Sequence, residues 1–231
     1  MSAEASRRPV RSFVRRSARM TPAQRAAIEH SWPVFGLERG KRLDLDAIFG
    51  RRVRRVMEIG FGNGEAIISM ARSHPEQDYL GVDVYEPGIG RLLAAITDMG
   101  LTNVRLLRGD AVDVLYEDIA PESLHSVLLL FPDPWPKKRH HKRRLVQADF
   151  VKQVATRLAP GGSFHLATDC QDYAEHMLAV MEAEAAFVNS PGKGQFCSAP
   201  TDRPVTKFER RGLRLGHAVW DLRFERLQSL S

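Results

Sequence analysis

The sequence predicts an α/β fold built on a doubly wound, mostly parallel sheet with an antiparallel C-terminal strand. From about Arg51 onward, short runs rich in Val, Ile and Leu alternate with segments of helical periodicity, the order expected of strand–helix–strand units. The first apolar run ends in Gly60-Phe61-Gly62-Asn63-Gly64 and passes directly into a helical pattern, a tight strand-to-helix turn. Near the C-terminus the pattern changes: Ala218 to Glu225 alternates apolar and polar residues, like a strand with one wet face.

Each element has its own justification. Residues 1–20 carry Arg7, Arg8, Arg11, Arg15, Arg16 and Arg19 among serines and are expected to form a flexible basic arm that orders on RNA, leaving 21–231 as a single domain. Thr21-Pro22 sets an N-cap before proline at the first helical position and starts a short helix through about His30. Strand one spans Val53 to Ile59 and is followed by a helix from Glu65 to Ser73. Strand two spans Tyr79 to Val82, and in the next helix, Pro87 to Met99, residues Ile89, Leu92, Leu93 and Ile96 fall on one buried face. Strand three is Val104 to Leu107, and strand four is the Val127 to Leu130 run, apolar enough for a central parallel strand. Val146 to Leu158 reads as a helix stopped by Pro160-Gly161-Gly162, Phe164 to Ala167 as strand five, and Tyr173 to Glu184 as a helix. Between about Asn189 and Arg214, glycine, proline and charge predict a long loop.

Composition narrows the classes. The 231 residues are 43% hydrophobic, which suits a globular domain with a sizeable core. A net charge of +6 points to an anionic partner. Cys170 and Cys197 form no CxxC or CxxH pattern, and the eight histidines show no HxxxH or HExxH spacing, so neither a disulfide framework nor a metal site is expected. Apolar runs stop at five residues, so no membrane span or signal-peptide core is expected and the protein is read as cytoplasmic.

Chemistry concentrates after strand four. Phe131-Pro132-Asp133-Pro134-Trp135-Pro136 sets a carboxylate and an indole between prolines, which suits the positioning of a flat heterocycle. Lys137, Lys138, Arg139, His140, His141, Lys142, Arg143 and Arg144 follow at once, a block that suits phosphates. The turn lies at the carboxyl end of its strand, where open α/β sheets bind ligands. The glycine turn after strand one has GxGxG spacing with acids on both sides, Glu58 and Glu65, which would repel a pyrophosphate. Glu65 also fits as an ordinary first-turn acid. Glu58 precedes the turn on an otherwise apolar strand and needs a partner. Asp83 closes strand two, where an acid grips ribose hydroxyls, and Asp110 follows strand three. A cationic ligand with a ribose and an adenine but no phosphates answers all of these, and S-adenosylmethionine is such a ligand.

The combination of Glu58-Ile59-Gly60-x-Gly62-x-Gly64, Gly109-Asp110-Ala111, Phe131-Pro132-Asp133-Pro134-Trp135, Arg139-His140-x-Lys142-Arg143-Arg144, Ala167-Thr168-Asp169 and Thr206-Lys207-Phe208-Glu209 resembles the bacterial tRNA (guanine-N7-)-methyltransferases, the TrmB family. It spans nearly the whole chain and takes in Arg19-Met20-Thr21, Ala27-Ile28-Glu29 and Trp32-Pro33, which argues against the other reading of the Arg- and Ser-rich first twenty residues, a cleaved organellar transit peptide. The resemblance implies a Rossmann-like class I S-adenosylmethionine-dependent methyltransferase fold, that donor, and a guanine in the tRNA variable loop as acceptor. It implies that Glu58, Asp83, Asp110 and Asp133 bind the donor around Gly60, Gly62 and Gly64, and that Lys137, Asp169, Thr206, Lys207, Phe208 and Glu209 face the substrate. Asp83 is often Glu in that family and His141 often Asn.

Guanine N7 carries a free in-plane lone pair, so its methylation needs no general base. Positive charge moves from sulfur to the base, and Asp133 is the candidate catalytic carboxylate for stabilising that movement. Asp169 or Glu209 would accept hydrogen bonds from guanine N1 and N2, while Trp135 and Phe208 either stack on the base or pack the protein. Three rivals remain: a base amino-group methyltransferase, suggested by the similarity of Asp133-Pro134-Trp135 to an Asp/Asn-Pro-Pro-aromatic turn, a non-catalytic RNA-binding module, and, least favoured because the acids around the glycine turn repel a pyrophosphate, a nicotinamide oxidoreductase.

Overall fold

A computed structural model describes residues 19–198, 203–205, 209 and 218–228. Seven strands form one sheet in the order β3-β2-β1-β4-β5-β7-β6. They are β1 (Arg55–Ile59), β2 (Asp78–Asp83), β3 (Val104–Arg108), β4 (Leu124–Leu130), β5 (Leu158–Thr168), β6 (Phe187–Asn189) and β7 (Trp220–Arg226). The first five run parallel, and β7 runs antiparallel between β5 and β6. Strand order reverses between β1 and β4, so a crevice opens at their carboxyl ends, the place where such sheets take ligands.

Side chains alternate across the sheet and feed two apolar layers. Val56, Tyr79, Leu106, Leu128 and Leu130 pack under α1 (Pro22–Phe35), α3 (Glu65–Ser73) and α4 (Glu86–Asp98). In α4 the predicted stripe of Ile89, Leu92, Leu93 and Ile96 is at most 1% exposed. On the other face Met57, Leu80, Val127, Leu129 and Phe164 meet α6 (Ala148–Arg157) and α7 (Gln171–Ala183), together with α2 (Leu45–Phe49). The three-residue α5 (Ala111–Asp113) runs into a π-helical turn at Val114–Asp118.

Several boundaries differ from expectation for local physical reasons. Thr21 caps α1 with a full capping box, but the helix runs on through Pro33 to Phe35 because Trp32 and Phe35 extend its apolar face onto the second layer. Pro160-Gly161-Gly162 does not stop α6, which ends at Arg157. These residues lie within β5, where the pairing to β4 jumps from Leu124↔Leu158 to Ser126↔Ser163 and Gly161 takes φ +74°. Segment Gly36-Leu37 lies along the free edge of β3, with Leu37 N donating to Leu106 O. Neither that strap nor the three-residue β6 carries a usable periodicity. The expected long loop holds the Cys197↔Asp221 bridge, and much of the rest of it lies outside the described residues.

Candidate active site

The glycine turn and β2 are tied together by Asp83. Its Oδ2 accepts from Gly62 N at 2.8 Å, and its Oδ1 accepts from Val84 N at 2.7 Å and Tyr85 N at 2.9 Å. Gly62 adopts φ +57°, with open space where a Cβ would stand. Gly88 in α4 was not foreseen: a Cβ there would come within 1.9 Å of Gly62 O, so the start of α4 presses on the turn only because residue 88 has no side chain. Asp110 caps α5, accepting from Val112 N at 3.0 Å.

Glu58 stands beneath this turn, 3% exposed, and its buried Oε2 has no hydrogen-bond partner. Burial, reinforced by the like charge of Asp83, pushes its carboxyl up to about 8. Asp83 is also raised by burial, against which its three backbone donors act. Two neighbouring carboxyl groups, Glu58 buried with an orphaned oxygen and Asp83 half-buried, suit a ligand carrying positive charge and hydrogen-bond donors, and a Cβ at Gly60 or Gly62 would meet open space. The residues present therefore fit S-adenosylmethionine.

At the end of β4 the backbone turns sharply. Phe131 and Trp135 adopt φ of +53° and +46°, left-handed conformations that non-glycine residues rarely take. Two prolines, Pro132 and Pro134, restrict the turn between them, Pro136 follows, and Phe131 N donates to Ala167 O at 2.8 Å. Asp133 thus sits on a stiff backbone at the switch point, one strand from Glu58. Asp169, exposed just beyond β5, lies beside this turn because Leu130 pairs with Ala167.

The basic block continues as a 3₁₀ helix over Lys138–Arg143. Lys137, Lys138, Arg139, Lys142 and Arg143 are exposed, whereas His140 and His141 are half-buried. Partial desolvation, then the charges of Arg143, Arg139, Lys137 and Lys142, hold the His140 imidazole below its usual value. Arg144 requires a correction. Expected among the phosphate contacts, it is 2% exposed, donates to Pro134 O at 3.0 Å, pairs with Asp172, and lies 4.9 Å from the Tyr173 ring centroid. It pins the turn to α7 rather than facing solvent. Trp135 is packed by its own block, with the Arg143 guanidinium 4.9 Å over its ring and His140 edge-on at 5.9 Å.

Thr206, Lys207 and Phe208 lie outside the described residues. Glu209, expected to reach guanine, is 4% exposed, with both carboxylate oxygens accepting from Arg203. Asp221 corrects the expectation of a wet face on β7: it is 3% exposed, held by Arg203 and His165. Arg203 and His165 were not singled out. Their only trace in the sequence is a histidine in the apolar run of β5.

Comparison with known proteins decides what this arrangement belongs to. A family model described as "Putative methyltransferase" matches residues 53–222. The tRNA (guanine-N(7)-)-methyltransferase of Alkalilimnicola ehrlichii is 57% identical over 227 residues, covering 97% of this chain and 95% of that protein. The chain belongs to the tRNA (guanine-N7-)-methyltransferase family. A second member, from Nitrosococcus oceani, is 54% identical over 95% of this chain and 92% of its own length. Among solved structures, the 16S rRNA methyltransferase KamB superposes with a TM-score of 0.59 at 17% identity, covering 81% of this chain and 95% of that one. The family's fold is thus the expected class I methyltransferase type, with antiparallel strands at the C-terminal edge.

Proposed function

We propose that this chain transfers a methyl group from S-adenosylmethionine to N7 of a guanine in the variable loop of tRNA. The observation that carries the proposal is the buried, partnerless oxygen of Glu58 beside Asp83 beneath an open glycine turn, one strand from the exposed basic block. Glu58, Asp83 and Asp110, with the backbone of Gly60, Gly62 and Gly64, would hold the donor. Bound donor supplies an electrophilic methyl on a sulfonium, and guanine N7 supplies the lone pair. The chain's own work is to align these and to stabilise charge. Asp133, fixed by the proline turn, faces charge developing on the base, and its negative charge favours that change without taking a proton. Asp169 would accept from the guanine N1 and N2 edge. Lys137, Arg139, Lys142 and Arg143 attract the phosphates around the target. Incubation of bulk tRNA with labelled donor, followed by nucleoside analysis, should give 7-methylguanosine. Label in an amino-methylated base, or no label at all, would reject the proposal.

The basic block makes a separate prediction. Replacing Lys142 and Arg143 with Ala should weaken binding of all tRNAs alike and flatten the dependence of log affinity on log salt by roughly one to two units. Arg144→Ala should leave that slope alone and instead destabilise the fold by about 1–3 kcal/mol, through the lost bonds to Pro134 O and Asp172. Titrations at three salt concentrations, with thermal melts, separate the two effects. An unchanged slope in the double variant would make the block mere surface.

A further inference from the structure

The strap on the free edge of β3 brings one arginine up behind the donor crevice. From Gly36-Leu37, which runs parallel beside Leu106, the chain reaches Arg39. Its Nε donates to Asp118 Oδ2 at 2.8 Å and its Nη2 to Glu117 Oε2 at 3.1 Å, while Gly40 N donates to Asp118 Oδ1 at 2.7 Å. The Asp118 side chain is fully buried, and Leu43 N fastens the strap to Asp118 O at 2.8 Å. At the other end of the same guanidinium, Nη1 lies over Gly109, where an added Cβ would come within 2.6 Å of it. Gly109 N in turn donates to Asp83 O at 3.1 Å, so the turn after β3 is tied to the acid that braces the glycine turn.

Arg39 thus holds both ends of the segment that carries Asp110. A three-residue α5 and one π-helical turn are too short to keep their shape unaided, because helical hydrogen bonds outweigh the cost of ordering only over longer runs. A point charge would serve buried Asp118 as well. The planar guanidinium adds direction: with Nε and Nη2 on two carboxylates, the place of Nη1 is fixed. Gly109 φ lies outside the left-handed region, so its backbone would accept alanine, and it is the guanidinium that a methyl group there would strike.

Building on the donor site proposed above, we infer that Arg39 is a positioning residue for the adenine end of S-adenosylmethionine. With the ribose at Asp83 on the end of β2, the attached base extends toward β3, the next strand out, where Asp110 meets its exocyclic amine. Arg39 backs the Gly109-Asp110 turn and sets how closely Asp110 approaches that amine.

Calorimetry on the full chain with S-adenosylhomocysteine and its inosine analogue, in which a carbonyl replaces the amine, tests this. The wild type should prefer the adenosine form by about tenfold or more, the worth of one hydrogen bond to a charged acceptor. Arg39→Lys keeps a cation for Asp118 and loses the reach to Gly109, while Gly109→Ala pushes the guanidinium off its seat. Each should cut the preference by about threefold or more, with tRNA affinity within about twofold of wild type, and Gly109→Ala should add nothing in the Arg39→Lys background. A merely structural ion pair behaves otherwise: Arg39→Lys retains the full preference, and Arg39→Ala lowers the melting temperature and weakens both ligands alike. That pattern overturns the inference, as does a Gly109→Ala loss of equal size with and without Arg39. If Arg39→Lys does not fold, Gly109→Ala carries the test alone, and an unchanged preference in it rejects the role of Arg39. A wild-type chain that binds both forms equally rejects Asp110 as reader of the amine, and the inference with it, while the donor site stands. Binding of neither form rejects the donor site itself.

Discussion

Asp133→Ala should abolish nearly all methyl transfer, lowering kcat by about 10²–10³-fold or more, while the protein keeps its fold. The turn's backbone is held by the Phe131 N to Ala167 O bond, by its prolines and by Arg144 on Pro134 O, all of which the substitution leaves in place. Asp133→Asn keeps the shape and loses the charge, so it should retain more donor affinity than the alanine variant yet remain slow. Single-turnover rates at saturating donor isolate the chemical step, and wild-type rates in either variant would remove Asp133 from the mechanism.

Glu58 should dominate donor binding and give it a pH dependence. Its carboxyl stands at about 8 in the folded chain against a usual value of 4.5, with burial the larger cause and Asp83 the second. The sign follows from proton counting. Between those two values the folded state holds a proton that the unfolded state has released, so the stability linked to protonated Glu58 is complete below about 4.5 and is lost as pH rises through about 8. The effect is on the order of a few kcal/mol. Donor-free protein should therefore melt at lower temperature as pH climbs across this window, and Glu58→Gln should flatten the trend. A cationic donor favours the ionised carboxylate, so its affinity should rise over the same interval and bring about proton release. Glu58→Ala should weaken S-adenosylmethionine and S-adenosylhomocysteine with little change in tRNA retention at low salt, circular dichroism confirming the fold. A folded Glu58→Ala protein that keeps its donor and loses tRNA would reverse the assignment.

Much of the architecture was legible because it is written in periodicity. The five parallel strands and the α4 stripe are apolar patterns that only burial explains, and Glu58 stood out as a charge within one of them. What stayed hidden depends on partners distant in sequence. Arg144 reads as one more cation in a run until the fold brings Tyr173 and Asp172 to it. Asp221 alternates like a solvent-facing residue, and only the approach of Arg203 and His165 reveals it as buried. Gly88 in α4 looks incidental until the carbonyl of Gly62 arrives at van der Waals range. β6 is three residues long and carries no pattern of its own.

The placement of β7 bears on how the chain reaches its native state. β7 is the last described strand in sequence, yet it inserts between β5 and β6, and among the described residues β6 pairs with it alone. During synthesis the five parallel strands can associate in chain order while β5 presents an open edge, a site for unwanted intermolecular pairing. β6, with Phe187 ready for the Phe164 and Phe224 rings, gains its described strand partner when residues 220–226 emerge. Closure of that edge is a late, long-range event of the kind that slows folding. It also brings Asp221 to Arg203. The glycine turn, the Asp133 turn and the basic block all precede β7 in sequence, so the parts of the crevice proposed to hold donor and RNA can form before this edge closes, and β7 adds the buried Asp221–Arg203 contact last.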